Sequence, residues 1–365
     1  MTQTPSYEKV SVKKLDKSRV EITGSIATSV WEKYRAKALK GINESINIDG
    51  FRKGLIPENI LIAKVGEMAI LEEMAELALS KVYLDILINE KIDAIGKPEI
   101  RVTKLAKDNP LEFVAVTSVV PEITLPDYKK LAQEQIKKSD PKDLKVGEKD
   151  IEDAILRIRK RHATDKLHSP EHADTHDHEK LSPEGHDKAV EAAMPEMTDD
   201  FVKTLGDFND LPDFKNKLSD MIAEQKRDEA REKLRIRISD ALADATKTEI
   251  PDIMIESELD RTQAQFSADV ERMGVKLEDY LKHAKKTLEE VRTEWKPHAE
   301  KKAKLQLILN EIAKKEKIAP DQKEIDEEVG HIVEHYKEAD RERAAVYAGT
   351  VLTNEKIFTW LEKVE

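Results

Sequence analysis

The stretch Gly50-Phe51-Arg52-Lys53-Gly54-Leu55-Ile56-Pro57 decides how the N-terminal part of this chain is built. An aromatic ring and two cations stand between two glycines, which readily adopt positive φ angles where a chain turns. Pro57 suits the first position of a helix. The stretch therefore predicts an exposed loop between two helices that presents Phe51, Arg52 and Lys53, whose cations can meet phosphate or carboxylate groups. The alternative is an ordinary turn with Phe51 folded inward.

The residues around this loop predict a compact α+β head over residues 1–120. Val20, Ile22 and Ile26 alternate with polar residues, as in a strand that buries one face. The long helix after the loop carries a wide apolar face that can pack on a sheet. The predicted elements are a strand over residues 10–26, a helix from Ser29 to about Ile46, a short helix ending at Gly66, a helix from Met68 to about Asn89, and strands over residues 98–105 and 111–120.

Beyond the head, the composition changes three times along the chain. Residues 121–161 begin with two prolines that favour an extended connection and end in a short helix predicted over Lys149–Arg161. Residues 162–190 are rich in His, Asp and Glu and poor in apolar side chains, which predicts a flexible linker. Residues 191–365 carry amphipathic helical patterns, with capping boxes at Thr287 and Asp321. The fold class is therefore an α+β head followed by a mainly α-helical body with arm-like helices.

Composition narrows the classes of function. The net charge is −12 and charged residues make up 37% of the chain, which argues against a general nucleic-acid binder. Residues 1–112 are nearly neutral, so the acidic excess lies outside the segment that carries the loop. The chain has no cysteine, which excludes disulfides and thiolate sites. No apolar leader and no long apolar run occurs, so we expect a cytoplasmic protein without a membrane partner.

The motifs of catalysis are missing from the sequence. No nucleophile elbow, phosphate-cradling glycine loop or His-Glu-x-x-His motif occurs, which predicts no catalytic residue and no cofactor. His172, His176 and His178 have a spacing that a metal ion could use if the segment folded around it. The alternative is a solvated linker whose histidines serve no site, and we predict no metal.

Several motifs resemble trigger factor, a family of bacterial chaperones that meet nascent chains at the ribosomal tunnel exit. They occur in the order in which the family has them and cover most of the chain. These motifs are the loop Gly50–Pro57, the connection Val120–Tyr128, the segment Pro195–Phe201 and the stretch from Leu211 to the C-terminus. The resemblance implies an ATP-independent holdase that binds nascent or unfolded polypeptides and assists their folding.

The resemblance also implies particular contacts. The head would dock on a tunnel-exit protein and nearby rRNA through Gly50, Phe51, Arg52, Lys53, Gly54 and Pro57. The helical body would hold clients, and its candidate contacts are Met254, Phe266, Met273, Val346, Tyr347 and Leu352. Burial between helices is the alternative for each of these six residues. The sequence leaves open whether the chain forms a homodimer away from the ribosome.

This chain departs from its relatives in one interval. Most trigger factors carry an FKBP-type prolyl isomerase domain where this chain has only the His-rich linker, which is too short for such a domain. We therefore expect no FKBP-like domain and no isomerase activity. The alternatives are a prolyl isomerase and chaperone like most of the family, and a protein-binding scaffold that is not tied to the ribosome.

Overall fold

The structure is a computed structural model that describes residues 7–140, 144–168, 183–337 and 339–364, with backbone alone for residues 183–186. The chain divides into two compact units. The first combines Met1–Pro126 with Ala243–Lys317, and the second combines Asp127–Leu242 with Ile318–Glu365.

The predicted fold class is confirmed, because a four-stranded sheet with its helices is followed by a helical body. The strands are β1 (Lys9–Leu15), β2 (Arg19–Ile26), β3 (Ala94–Lys104) and β4 (Leu111–Val119). The helices of the head are α1 (Thr28–Trp31), α2 (Arg35–Ser45), α3 (Glu58–Val65) and α4 (Glu67–Asn89). Those of the body are α5 (Tyr128–Lys137), α6 (Glu148–Leu167), α7 (Pro183–Ala192), α8 (Asp199–Leu205), α9 (Leu211–Ala245), α10 (Asp252–Arg272), α11 (Leu277–Ala284), α12 (Leu288–Glu316), α13 (Gln322–His335) and α14 (Arg341–Leu361).

The prediction of a single strand over residues 10–26 is wrong, since these residues form the antiparallel hairpin β1–β2. Lys17 and Ser18 make the turn with φ angles of 59° and 52°. Non-glycine residues rarely adopt such angles, so residue type gave no turn signal here.

The head is organised around one continuous apolar core between the sheet and α4. The strand order is β1-β2-β4-β3, and every neighbouring pair is antiparallel. Ile22, Phe113 and Ile70 are fully buried there. Trp31 is also buried, and its indole nitrogen donates a hydrogen bond to the carbonyl of Asn109 at 3.1 Å. Aromatic and aliphatic burial of this extent stabilises the head and fixes the position of its helices.

The rest of the first unit is the helix pair α10–α12 with α11 between them. Val120 and Ile123 of the connection pack on the apolar side chains of this pair. The β1–β2 turn reaches the same pair, because the Lys17 ammonium donates to Asp252 at 2.9 Å and the Ser18 hydroxyl donates to the carbonyl of Glu249 at 3.0 Å. The capping box at Thr287 is confirmed, with its backbone N–H donating to the Glu290 carboxylate at 2.8 Å.

The described residues of the second unit include two smaller apolar clusters and, apart from them, the buried residues Ile238, Leu242, Ile357 and Leu361. One lies between α6, α8 and α9, with Val202 and Phe214 buried, and the other lies between α13 and α14. Helix α6 runs to Leu167, beyond Arg161 where the sequence predicted its end, because Ala163 continues the buried face. The predicted capping box at Asp321 is confirmed, with the Glu324 N–H donating to its carboxylate at 2.9 Å.

Candidate functional site

The loop after α2 is held in shape by its own backbone. Gly50 and Gly54 have φ angles of 86° and 81°, which glycine adopts without strain. The Phe51 N–H donates to the carbonyl of Ile48 at 3.1 Å, and the Leu55 N–H donates to that of Arg52 at 3.0 Å. Two successive turns therefore define the course of the loop.

Asn43 on α2 fixes the base of the loop. Its amide nitrogen donates to the carbonyl of Ile56 at 2.8 Å, and its amide oxygen accepts from the Ile56 N–H at 3.1 Å. Its own carbonyl accepts from the Gly54 N–H at 2.9 Å. Ile56 is buried and anchors the loop to the head. Sequence analysis missed Asn43, although a polar residue beside the apolar Ile42 near the end of a helix was a signal for such a role.

The tip of the loop presents the three predicted side chains to solvent. Phe51 is 37% exposed, and Arg52 and Lys53 are exposed. Neither cation forms an ion pair within the part of the chain that the structure describes. Leu55, which sequence analysis did not select, is 71% exposed and enlarges the apolar part of this surface. The sequence predicted Pro57 as the first residue of a helix. In the structure Pro57 is instead the N-cap of α3, which begins at Glu58.

An ion pair joins α2, the helix that precedes the loop, to the start of α4. The Arg35 guanidinium on α2 donates to the Glu67 carboxylate at the start of α4, with a nitrogen–oxygen distance of 2.6 Å. This hydrogen bond, aided by the attraction of the two charges, lowers the pKa of Glu67 and raises that of Arg35. The pair therefore adds a polar contact to the apolar packing of α2 on α4.

The six candidate client contacts fall into two groups by exposure. Met273, Val346 and Tyr347 are exposed, with Val346 reaching 73%. Met254, Phe266 and Leu352 are half-buried. Phe266 makes edge-to-face contacts with Tyr280 and Trp295 at centroid distances of 5.4 and 5.2 Å. The first unit contains Met254, Phe266 and Met273, and the second unit contains Val346, Tyr347 and Leu352.

The predicted metal candidates His172, His176 and His178 lie outside the described residues. Within the described ranges, no group of three His, Cys, Asp or Glu side chains is placed to hold a metal ion. The described helices include none with the length and apolar character needed to span a membrane.

Comparison with known proteins identifies the chain's relatives. Residues 8–158 match the family model of the bacterial trigger factor protein, and residues 210–355 match that of its C-terminus. The chain belongs to the trigger factor family. A trigger factor of Carboxydothermus hydrogenoformans is 27% identical, over 93% of this chain and 94% of that protein. A trigger factor of Halothermothrix orenii is 25% identical, over 88% of this chain and 89% of that protein.

A solved trigger factor structure has the same fold. That structure, which concerns promiscuous substrate recognition in the folding and assembly activities of the chaperone, matches with a TM-score of 0.55. The sequences are 18% identical, and the match covers 98% of this chain and 100% of the other. As a member of the trigger factor family, the chain is a ribosome-associated chaperone. No family model of an FKBP-type domain matches, and residues 159–209 match no model.

Proposed function

We propose that this trigger factor docks at the ribosomal tunnel exit through Phe51, Arg52 and Lys53 and holds unfolded chains without isomerising their prolines. The observation that carries the docking proposal is the construction of the loop. Asn43 holds its base, while an aromatic ring and two cations without ion-pair partners among the described residues stand at its tip. A rigid apolar anchor surrounded by cations fits a pocket in a protein beside RNA phosphates.

The two kinds of contact have different dependence on salt. Arg52 and Lys53 would pair with phosphates or carboxylates, and such pairs weaken as counterions compete. Phe51 would bury apolar surface, and its contribution changes little with salt. Gly50, Gly54 and Pro57 would act by setting the loop conformation, since their φ angles or ring fix the turn.

Client holding rests on the exposed apolar residues of the body. Met273, Val346 and Tyr347 are exposed among charged neighbours, so several weak apolar contacts can form and break rapidly. Met254, Phe266 and Leu352 would add to them where their half-buried side chains reach the surface. Aggregation of an unfolded client should be suppressed less well by a variant with Met273→Ser, Val346→Ser and Tyr347→Ser.

The proposed lack of isomerase activity has two supports. Residues 159–209, between the two matched regions, match no family model. The alignment with the Carboxydothermus protein spans 406 positions, more than the 365 residues of this chain, so this chain lacks residues that its relative has. A refolding assay limited by proline isomerisation should show no acceleration above the uncatalysed rate. Acceleration that saturates with substrate would contradict this part of the proposal.

Two further predictions concern partners and location. A homodimer away from the ribosome stays a prediction, which sedimentation velocity over a range of concentrations decides. A cytoplasmic location follows from the proposed docking, because translating ribosomes are found there.

Ribosome co-sedimentation tests the docking proposal. The intact chain should bind at low salt and bind less at high salt, and Phe51→Ala/Arg52→Ala/Lys53→Ala should weaken binding by at least about thirtyfold, since a buried aromatic anchor alone is worth about 2 kcal/mol or more. Lys9→Ala/Val12→Ala/Lys13→Ala is the matched control, because it removes two exposed cations and an apolar side chain of similar exposure from β1. Equal binding by the loop variant and the intact chain would refute docking through this loop.

A further inference from the structure

An open groove lies between α4 and β3 in the head. Its volume is about 710 Å³, which is within the range of roughly 300–1,000 Å³ common for binding pockets. Its apolar lining consists of Met68, Ala75 and Leu79 from α4, Ile100 and Val102 from β3, and Leu105, which follows β3. Met68 and Val102 are 55% and 41% exposed, so apolar surface is accessible in the groove.

One wall of the groove is the edge strand of the sheet. Strand β3 pairs with β4 alone, through partners such as Glu99 with Val116 and Val102 with Phe113. No strand among the described residues lies beside its other edge, and the backbone N–H and C=O groups of that edge can pair with an added strand. Ile100 and Val102 lie two residues apart and line the groove, as expected of one face of a strand.

The exposed edge is limited to a short segment. Pro98 lacks an N–H group and suits an edge position. The pairing with β4 is irregular between Ile95 and Glu99 and again between Val102 and Lys104. Regular pairing therefore holds over Glu99–Val102, and a strand that adds here has a defined register. The irregular pairing on both sides of this segment, together with Pro98 before it, limits the pairing of another strand with the rest of the edge.

The opposite wall of the groove carries negative charge. Glu72 and Glu76 are one helical turn apart on α4, both are exposed, and both line the groove. Neither carboxylate forms an ion pair with another of the described side chains. Two unpaired carboxylates beside apolar surface are complementary to a lysine or arginine that is flanked by apolar residues.

We propose that this groove binds an extended segment of unfolded polypeptide, which adds a fifth strand beside β3. Alternate apolar side chains of the segment would contact Met68, Leu79 and Val102, and a lysine or arginine would pair with Glu72 and Glu76. The backbone of the segment would exchange hydrogen bonds with Glu99–Val102 whatever its sequence. The proposal rests on the proposed function, because it gives the chaperone a client site in its head.

A charge exchange tests the acidic wall. The probe is a fluorescent peptide of about ten residues that alternates valine with threonine and carries two lysines, a length typical of a strand. Glu72→Lys/Glu76→Lys should bind it about tenfold more weakly, because two attractions become repulsions. The same variant should prefer a peptide with glutamates in place of the lysines. Glu224→Lys/Asp228→Lys is the matched control, with two exposed carboxylates at the same spacing on α9. An equal loss in both variants, or no reversal of preference, would overturn the proposed site.

Backbone methylation tests the strand addition. N-methyl groups on alternate residues block one edge of an extended peptide, and shifting them by one residue blocks the other edge. A peptide that adds to β3 by one edge should bind about tenfold more weakly in one of these two forms only, since each lost hydrogen bond costs about 1 kcal/mol. Equal affinity of the two forms would overturn the strand addition.

The outcomes separate this site from the proposed function. The Glu72→Lys/Glu76→Lys variant should still co-sediment with ribosomes, because the loop is unchanged. If the intact chain suppresses aggregation of an unfolded client but binds neither peptide, the groove proposal fails and the chaperone stands. If the intact chain neither binds peptide nor suppresses aggregation, client holding itself fails.

Discussion

The head and the helix pair α13–α14 bury their apolar side chains in different ways. In the head, large side chains such as Trp31 and Phe113 are fully buried in one continuous core. In the cluster between α13 and α14, the buried residues are Val329, Ala344 and Ala348, while Val346 on α14 is exposed. A large core holds one shape and can support a precisely formed loop. A contact that buries few large side chains leaves apolar surface free to meet other chains. The two helices of such a contact also separate more easily than the elements of a large core.

The largest expected effect is a difference between core substitutions in the two regions. Trp31→Ala should lower the free energy of unfolding of the head by about 3–5 kcal/mol, because it leaves a large cavity and an unpaired carbonyl at Asn109. Val329→Ala should lower that of the helix pair by about 1–2 kcal/mol. Hydrogen exchange resolved by region measures both. Equal losses would show that the two contacts are equally tight.

Glycine substitutions give a second contrast. A Cβ atom added to Gly24 on β2 would lie 2.7 Å from Cζ of the Phe113 ring, so Gly24→Ala forces this buried ring to move. We expect a loss of about 1–3 kcal/mol in the free energy of unfolding of the head. A Cβ added to Gly330 on α13 meets nothing within 4 Å. Gly330→Ala should therefore stabilise its helix by about 0.5–1 kcal/mol. Thermal unfolding compares the two variants, and a stabilised Gly24→Ala would contradict the tight packing of the head.

The smallest expected effect concerns charge. Arg235 on α9 pairs with Glu355 on α14 at 2.6 Å, and this hydrogen bond lowers the pKa of Glu355. A carboxyl with a lower pKa in the folded chain stabilises it above the unfolded pKa of about 4.5, and this stabilisation is lost as the pH falls through the lower folded value. Because Glu355 is half exposed, solvent screening limits the coupling to about 0.5–1 kcal/mol.

A double-mutant cycle with Arg235→Ala and Glu355→Gln measures this coupling at pH 7 and near pH 3. The coupling should be present at pH 7 and smaller at pH 3. Arg35→Ala and Glu67→Gln give the matching cycle in the head, whose large core should make its total stability less sensitive to acid. A coupling that grows as the pH falls would have the wrong sign for an ion pair.

Local residue types allowed the exposed loop Gly50–Pro57 to be predicted, while contacts between distant segments escaped prediction. Gly50, Gly54 and Pro57 lie within eight residues of one another, so their backbone preferences alone indicate a turn. Lys17 meets Asp252 across 235 positions, and no local pattern encodes that pairing. The β1–β2 turn was missed for a different reason. Lys17 and Ser18 adopt positive φ angles, which lysine and serine rarely do, so their residue types did not indicate a turn.

Exposure in the body was equally hard to predict. The apolar residues of α14 recur at helical spacing, which shows that some of them face a partner helix. The pattern does not show how much of that face the partner covers. Ala348 is buried while Tyr347 beside it is 62% exposed, because successive residues of a helix face different sides and Ala348 lies on the side that packs against α13. The groove between α4 and β3 escaped prediction because it depends on which strand ends the sheet.

The head core draws all its buried residues from one uninterrupted stretch, between Val20 and Ala115. Every buried residue of this core is therefore synthesised before the last two thirds of the chain. The partners of Val120 and Ile123, in contrast, lie in the region from Ile250 to Leu307 and are made much later. We expect the head to be folded on its own ribosome before α10 and α12 exist. A newly made head would thus present the proposed docking loop near the tunnel exit while the rest of its own chain is still being synthesised.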